Sequence, residues 1–119
     1  MISARDMMYT TAHAEIRAGE LAKQIGNFGK ARVCARRGCF FAISHWLEYN
    51  PNKNWGDSAI SMLTHLQEEE SIPKNIREAA ERLTTKVDQN FETGIDNDPL
   101  RDAETIIEYF LDKNNLKEI

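Results

Sequence analysis

A helix drawn through residues 39–47 would be apolar on nearly every side, and this limits the folds open to the chain. Helices of this kind are normally covered by neighbours on several faces. The surrounding pattern extends the helix over residues 30–49. We therefore predict that it is the central helix of a bundle or the seam between two subunits. Its largest side chains, Phe40, Phe41 and Trp46, are predicted to contribute to the interface of a homodimer.

A first helix over residues 3–25 is predicted from apolar residues that recur at helical spacing. The helix should stop at residues 26–29, where two glycines and an asparagine tolerate a left-handed backbone. The chain then reverses into the central helix, so the two helices are expected to be antiparallel neighbours. The predicted buried stripe of the first helix consists of Met7, Ala14, Ala18, Leu21 and Ile25.

Three shorter helices are predicted in the second half of the chain. The third helix starts at Asp57, which can act as its N-cap, the fourth starts near Pro73, and the fifth starts at Asp98 followed by a proline. An acidic loop without periodicity is predicted over residues 88–98. The predicted buried residues of these helices are Ala59, Ile60, Leu63 and Leu66, then Ile76, Ala79, Ala80, Leu83 and Val87, then Leu100, Ala103, Ile106, Ile107, Phe110 and Leu111.

The length and the apolar pattern are typical of one globular domain. A chain of 119 residues can bury a core but is short for two domains. We predict a single all-α domain over residues 1–119, folded as an antiparallel bundle of about five helices. No apolar run approaches the ~18 residues of a membrane span, and the first residues lack the apolar segment of a signal peptide. A cytoplasmic protein without a membrane partner is therefore expected.

Positive charge is concentrated in one short stretch of an acidic chain. The formal net charge of −4 argues against a general nucleic-acid binder. Arg32 and Arg36 share one face of the central helix, whereas Arg37 lies on another. Two interpretations remain open for these arginines. They form internal ion pairs with acidic residues such as residues 68–70 or the loop after Asp88, or they contact a phosphate group or an acidic partner.

No metal or cofactor site is predicted. Cys34 and Cys39 are five residues apart on a helix, so they cannot jointly bind a metal ion or form a disulfide. No glycine-rich phosphate loop and no calcium-binding loop is present. His13 and His65 fall on polar helix faces and are predicted to be solvated, whereas His45 is predicted to be a hydrogen-bonded core or interface residue.

Residues 29–37 lead into the apolar helix, and residues 55–59 open the next one. Together with the helix layout, these two stretches resemble small prokaryotic proteins of the HEPN superfamily (higher eukaryotes and prokaryotes nucleotide-binding). This resemblance implies a homodimer that acts in a prokaryotic defence or toxin–antitoxin setting. It also implies contact with RNA or a nucleotide, and a nucleotidyltransferase-type protein as a partner.

In HEPN ribonucleases, an arginine followed by a polar residue precedes a histidine of the last helix by four to six intervening residues. Arg101 and Asp102 match the first half of this motif and are candidate site residues. The histidine is missing, because that spacing leads to Ile106, Ile107 or Glu108. We therefore predict a diverged module without ribonuclease activity. The alternatives are an active nuclease or nucleotide-binding enzyme that combines Arg101 with groups from elsewhere in the fold, and a purely structural dimerisation protein.

Overall fold

The computed structural model of the protein describes residues 2–85 and 98–112. Within these two ranges the chain forms five α-helices and no strand, so the predicted all-α fold is confirmed. Most of the predicted loop 88–98 and the predicted core residue Val87 lie outside the described ranges. The helices are α1 (Ala4–Gln24), α2 (Phe28–Glu48), α3 (Ala59–Gln67), α4 (Lys74–Thr84) and α5 (Pro99–Leu111).

The starts of α3 and α5 show how local sequence sets the helix boundaries. At α5, the carboxylate of Asp98 accepts a hydrogen bond of 3.0 Å from the Leu100 N–H, and Pro99 occupies the first helical position, as predicted. At α3 the N-cap is Ser58 rather than the predicted Asp57. Either side chain can cap a helix, and the sequence alone did not distinguish between adjacent positions.

α2 is the central helix, because each of the other four helices packs against it. Ten of its 21 residues are buried. Trp46 is only 1% exposed, and its ring centroid lies 5.2 Å from that of Trp55 and 5.1 Å from that of Phe110. The indole ring of Trp46 is thus covered within one subunit. This corrects the prediction that Trp46 contributes to a dimer interface, since almost none of its surface is accessible to a second chain.

α1 and α2 pack closely because each contributes a glycine to their contact. The turn between them is made by Gly26, whose φ of +80° suits a residue without a side chain. A Cβ atom on Gly38 of α2 would lie 3.2 Å from the carbonyl oxygen of Ala12 in α1. A Cβ atom on Gly19 of α1 would lie 3.2 Å from the Cβ of Cys34 in α2. The two glycines therefore allow α1 and α2 to approach more closely than residues with side chains would.

The face of α1 that packs on the bundle is not the predicted one. Met7 is 58% exposed, Leu21 is 64% exposed and Ile25 is 80% exposed. The prediction was wrong because α1 carries two stripes at helical spacing, and close packing against α2 favours the stripe with smaller side chains. The buried residues of α1 are Ala12, Ile16, Gly19 and Ala22.

The predicted core positions of the last three helices agree with the structure, with few exceptions. All six predicted residues of α5 are fully buried, and the four predicted residues of α4 that the structure describes are buried as well. In α3, Leu63 and Leu66 are buried, whereas Ala59 is half-buried and Ile60 is exposed. Among the described helices, none combines the length and apolar character needed to cross a lipid bilayer.

Candidate functional site

Arg101, the first candidate residue of the degenerate motif, is exposed in the first turn of α5. Near it, Lys23 Nζ at the end of α1 lies 3.0 Å from Asp98 Oδ2. The hydrogen bond and charge of Asp98 raise the pKa of Lys23, whereas the charge of Arg101 lowers it. Arg101 therefore lies beside a surface ion pair that joins the two helix ends.

Asp102, the second candidate residue, is directed towards the interior of the bundle. Its carboxylate accepts two hydrogen bonds from Arg82 of α4, with Nε to Oδ2 at 3.0 Å and Nη2 to Oδ1 at 2.9 Å. The hydrogen bond to Asp102 is the largest of the effects that raise the pKa of Arg82. Arg101 and Asp102 are thus adjacent in sequence but lie on different faces of α5, and the structure does not bring them into one site.

Arg32 and Arg36 bind the carbonyl oxygens at the end of α4. Arg32 Nη2 donates to the carbonyl oxygens of Arg82, at 2.6 Å, and Thr85, at 2.8 Å. Arg36 Nε donates to the carbonyl oxygen of Leu83 at 2.8 Å. The last carbonyl groups of a helix have no partner within it and carry the negative end of the helix dipole. The two arginines therefore cap α4 from α2.

Arg32, Arg36, Arg82 and Asp102 form one internal cluster of three guanidinium groups and one carboxylate. Arg32 is only 6% exposed, and burial, followed by the charge of Arg36, lowers its pKa, while Asp102 acts in the opposite direction. Within the described part of the chain, Arg32 Nε has no hydrogen-bond partner. The cluster stabilises the contact of α2, α4 and α5, and its buried position is unlike that of a phosphate-binding surface.

Arg37 lies apart from this cluster. Its Nη2 is 3.3 Å from Glu15 Oε2 of α1. Internal pairing with an acidic residue is therefore present for Arg37. Of the partners proposed from the sequence, Glu69 is bound by Lys53, with 2.7 Å between Nζ and Oε1, and most of the loop after Asp88 lies outside the described residues. The structure thus distributes the three predicted contact residues between a helix cap and a surface ion pair.

A second polar cluster, which the sequence did not predict, joins α1 to α5. His13 Nε2 lies 3.2 Å from Glu108 Oε1, and the Tyr9 hydroxyl donates to the same oxygen at 3.0 Å. The His13 ring is not aligned for a hydrogen bond at this distance, so the contact is an ion pair only when the ring is protonated. The hydrogen bond to Glu108, and then burial, raise the pKa of Tyr9.

His13 contacts α5, the helix that carries the degenerate motif, through Glu108. Glu108, its partner, follows Arg101 by seven residues, which places the two about 10 Å apart on one face of α5. His45 is buried beside Glu48, with 3.7 Å between Nδ1 and Oε2, and its Nε2 has no partner among the described residues. The exposed His65 stacks on Trp55, with 6.4 Å between ring centroids.

The described residues contain no group of three or more histidine, cysteine or acidic side chains that could hold a metal ion. Cys34 and Cys39 are both free and buried. Burial raises the pKa of each thiol, which disfavours the reactive thiolate. Their position is that of packing residues.

Apolar surface is concentrated along α1. We use the term outer face of α1 for the residues Ala4, Met7, Thr11, Ala14, Ala18, Leu21 and Ile25, of which all but the half-buried Ala18 are exposed. Five of the eight large apolar side chains exposed by the described residues lie on this face or next to its ends: Ile2, Met7, Leu21, Ile25 and Phe28. The predicted interface residues Phe40 and Phe41 are half-buried, and their role in an interface remains a prediction.

The described side chains thus offer two surface features for function. One is the outer face of α1, and the other is the edge of α5 that carries Arg101 at one end and the contact of His13 with Glu108 at the other. Comparisons with protein-family models, curated proteins and solved structures give no match to the chain.

Proposed function

We propose that the chain acts as a self-associating interaction module of HEPN-like type, without nuclease activity of its own. The outer face of α1 is the observation that carries this proposal. Monomeric proteins rarely leave several large apolar side chains exposed in one stripe, because their transfer from water is favourable. Met7, Leu21 and Ile25 are each more than half exposed there. A protein partner that covers these side chains would remove them from water.

Its resemblance to the HEPN superfamily suggests where such a module works. On this basis we propose a prokaryotic defence or toxin–antitoxin setting, with RNA or a nucleotide as the associated ligand. A nucleotidyltransferase-type protein is the proposed second partner. The exposed side chain of Arg101 remains accessible for such a contact.

The positions of the candidate residues support a role without catalysis. Asp102 is held by Arg82, and both Arg32 and Arg36 are bound to the end of α4. Catalytic groups have to converge within hydrogen-bond reach of one reacting bond. Here Arg101 and the charged groups of the internal cluster point in different directions.

We expect the purified protein to be a dimer at micromolar concentration. Static light scattering should give a mass twice the 13.6 kDa of one chain. Dissociation on dilution would yield the Kd and hence the free energy of association. A mass of one chain throughout the micromolar range would contradict the proposed self-association.

A second candidate function, an active ribonuclease, is favoured by the position of His13. An imidazole held beside a carboxylate can transfer protons, and the carboxylate that His13 contacts, Glu108, lies on the same edge of α5 as Arg101. In this alternative, His13 would replace the histidine that the motif lacks. The edge also carries Glu104 and Glu108, whose charges oppose the approach of a phosphate backbone.

An RNA cleavage assay separates the two functions. We expect no cleavage of a broad RNA panel above background, because a missing general acid or base typically costs ~10²- to 10⁴-fold in rate. The matched variants are His13→Ala and, as a control, His65→Ala, which removes an exposed histidine from α3. Cleavage that is lost in His13→Ala and in Arg101→Ala but retained in His65→Ala would establish the ribonuclease instead.

A further inference from the structure

We propose that two copies of the chain dock through the outer face of α1, with the two α1 helices antiparallel and a twofold axis passing close to Ala14. This inference rests on the self-association proposed above. It adds which surface is buried between the two copies and how the two α1 helices are arranged. The occupant of the apolar face is therefore a second copy of the same chain.

The residues of the outer face have the spacing of the contact line between two paired helices, and we call this line of residues the seam. Its residues follow one another at alternating steps of three and four from Ala4, along the whole of α1, to the C-cap residue Ile25. This is the spacing of the a and d positions of a coiled coil, which keep one stripe facing a second helix. Because the core of the subunit is contacted by a different stripe, α1 can pack on the bundle and on a second helix at the same time.

The outer face is complementary to itself when it is read in the antiparallel direction. With Ala14 of each copy at the axis, Met7 lies opposite Leu21 of the second copy, and Ala4 lies opposite Ile25 of the second copy. Small residues then occupy the centre, where two helices approach most closely, and larger side chains fill the space at both ends. A parallel arrangement would instead pair Ala4 with Ala4 and Ile25 with Ile25, which leaves the two ends unequally packed.

The polar groups near the seam do not oppose its burial. No seam residue is charged. The Thr11 hydroxyl donates to the carbonyl oxygen of Met7 at 2.9 Å, so it is satisfied within its own helix. Glu15, near the proposed axis, is neutralised by Arg37 of the same subunit. Covering the seam therefore leaves Glu15 paired and breaks no hydrogen bond of Thr11.

The apolar surface runs along the whole of α1 and past both of its ends. α1 has 21 residues and is therefore about 31 Å long. Ile2 and Phe28, both exposed, extend the apolar surface beyond the two ends of the helix. In the antiparallel arrangement, Ile2 of one copy approaches Phe28 of the other. Two faces of this length can bury the roughly 1,200 Å² found in small specific interfaces.

A charge placed on the seam should dissociate the dimer. Leu21→Glu is expected to raise the dimer Kd at least ~100-fold, because each dimer would bury two carboxylates against apolar side chains. Leu21 is largely exposed in the subunit, so the fold should be retained, which circular dichroism checks. Ile60→Glu is the matched control, since Ile60 is also an exposed apolar residue but lies on α3, and this variant should leave the Kd unchanged.

Disulfide trapping tests the direction of the helices. After mild oxidation, Ala14→Cys should give a covalent dimer, and Met7→Cys alone should give none. An equimolar mixture of Met7→Cys and Leu21→Cys should give a mixed covalent dimer. The native Cys34 and Cys39 are buried and do not compete.

The possible outcomes separate this inference from the proposed function. A native protein that is monomeric would overturn both. A native dimer that survives Leu21→Glu and forms none of these links would overturn the α1 interface while leaving self-association intact. A covalent dimer of Met7→Cys alone would overturn the antiparallel arrangement.

Discussion

Replacing Trp46 with alanine is expected to reduce the free energy of unfolding by about 3–5 kcal/mol, the usual cost of truncating a buried aromatic residue. The indole ring is almost completely buried and packs against the rings of Trp55 and Phe110. Its removal leaves a cavity at the centre of the bundle. Equilibrium unfolding in urea, followed by circular dichroism, measures the loss.

Tyr49→Ala is the control for this experiment, because Tyr49 follows directly after α2 but is more exposed than Trp46. Its effect should remain below about 1 kcal/mol. If Trp46→Ala does not fold, Trp46→Phe retains part of the ring and should still lower stability measurably. A Trp46→Ala variant as stable as the native protein would contradict the internal packing and would return Trp46 to the surface of a dimer.

Asp102→Asn is expected to reduce the free energy of unfolding by about 2–3 kcal/mol, because it leaves Arg82 and Arg32 without their nearby negative charge. The estimate is below that for a fully buried ion pair, since Arg82 remains partly exposed. Thermal or urea unfolding measures the loss. Glu104→Gln, two residues further along α5, removes the same charge from a less buried position and should change stability by no more than about 0.5 kcal/mol.

A double-mutant cycle assigns the effect of Asp102 to its partner. In an Arg82→Met background, Asp102→Asn should cost much less than it does in the native protein, because the bidentate contact is already lost. Equal costs in the two backgrounds would show that Asp102 stabilises the fold through other groups. This outcome would reopen a site role for the carboxylate.

The sequence predicted α5 well and α1 only in part, and the difference has a physical cause. In α5, an aspartate cap, a first-turn proline and one apolar stripe all indicate the same helix with the same buried face. In α1, Ala12, Ile16 and Gly19 form a stripe at the same spacing as Met7, Leu21 and Ile25. Hydropathy favoured the larger side chains, whereas the close approach to α2 required the smaller ones.

The contacts of the candidate residues were less predictable, since they depend on tertiary structure. A sequence shows which acidic residues are available to pair with an arginine. It does not show that folding will bring the end of another helix next to that arginine. Arg32 and Arg36 therefore bind carbonyl groups that no side-chain pattern reveals. The contact of His13 with Glu108 joins helices from opposite ends of the chain. The spacing of Tyr9 and His13 on one face of α1 was the only local signal of that cluster.

The close packing at Gly19 and Gly38 affects how fast α1 can bind a second helix. Because a Cβ atom at either glycine would already crowd its neighbours, sliding or rotation of α1 on α2 would force atoms into overlap. α1 is therefore presented in a single orientation before binding. Beyond the translational and rotational entropy that every association loses, only side-chain rotamers such as those of Met7 and Leu21 then have to be ordered. Association that needs no prior rearrangement proceeds in one kinetic phase, at a rate set by diffusion and orientation.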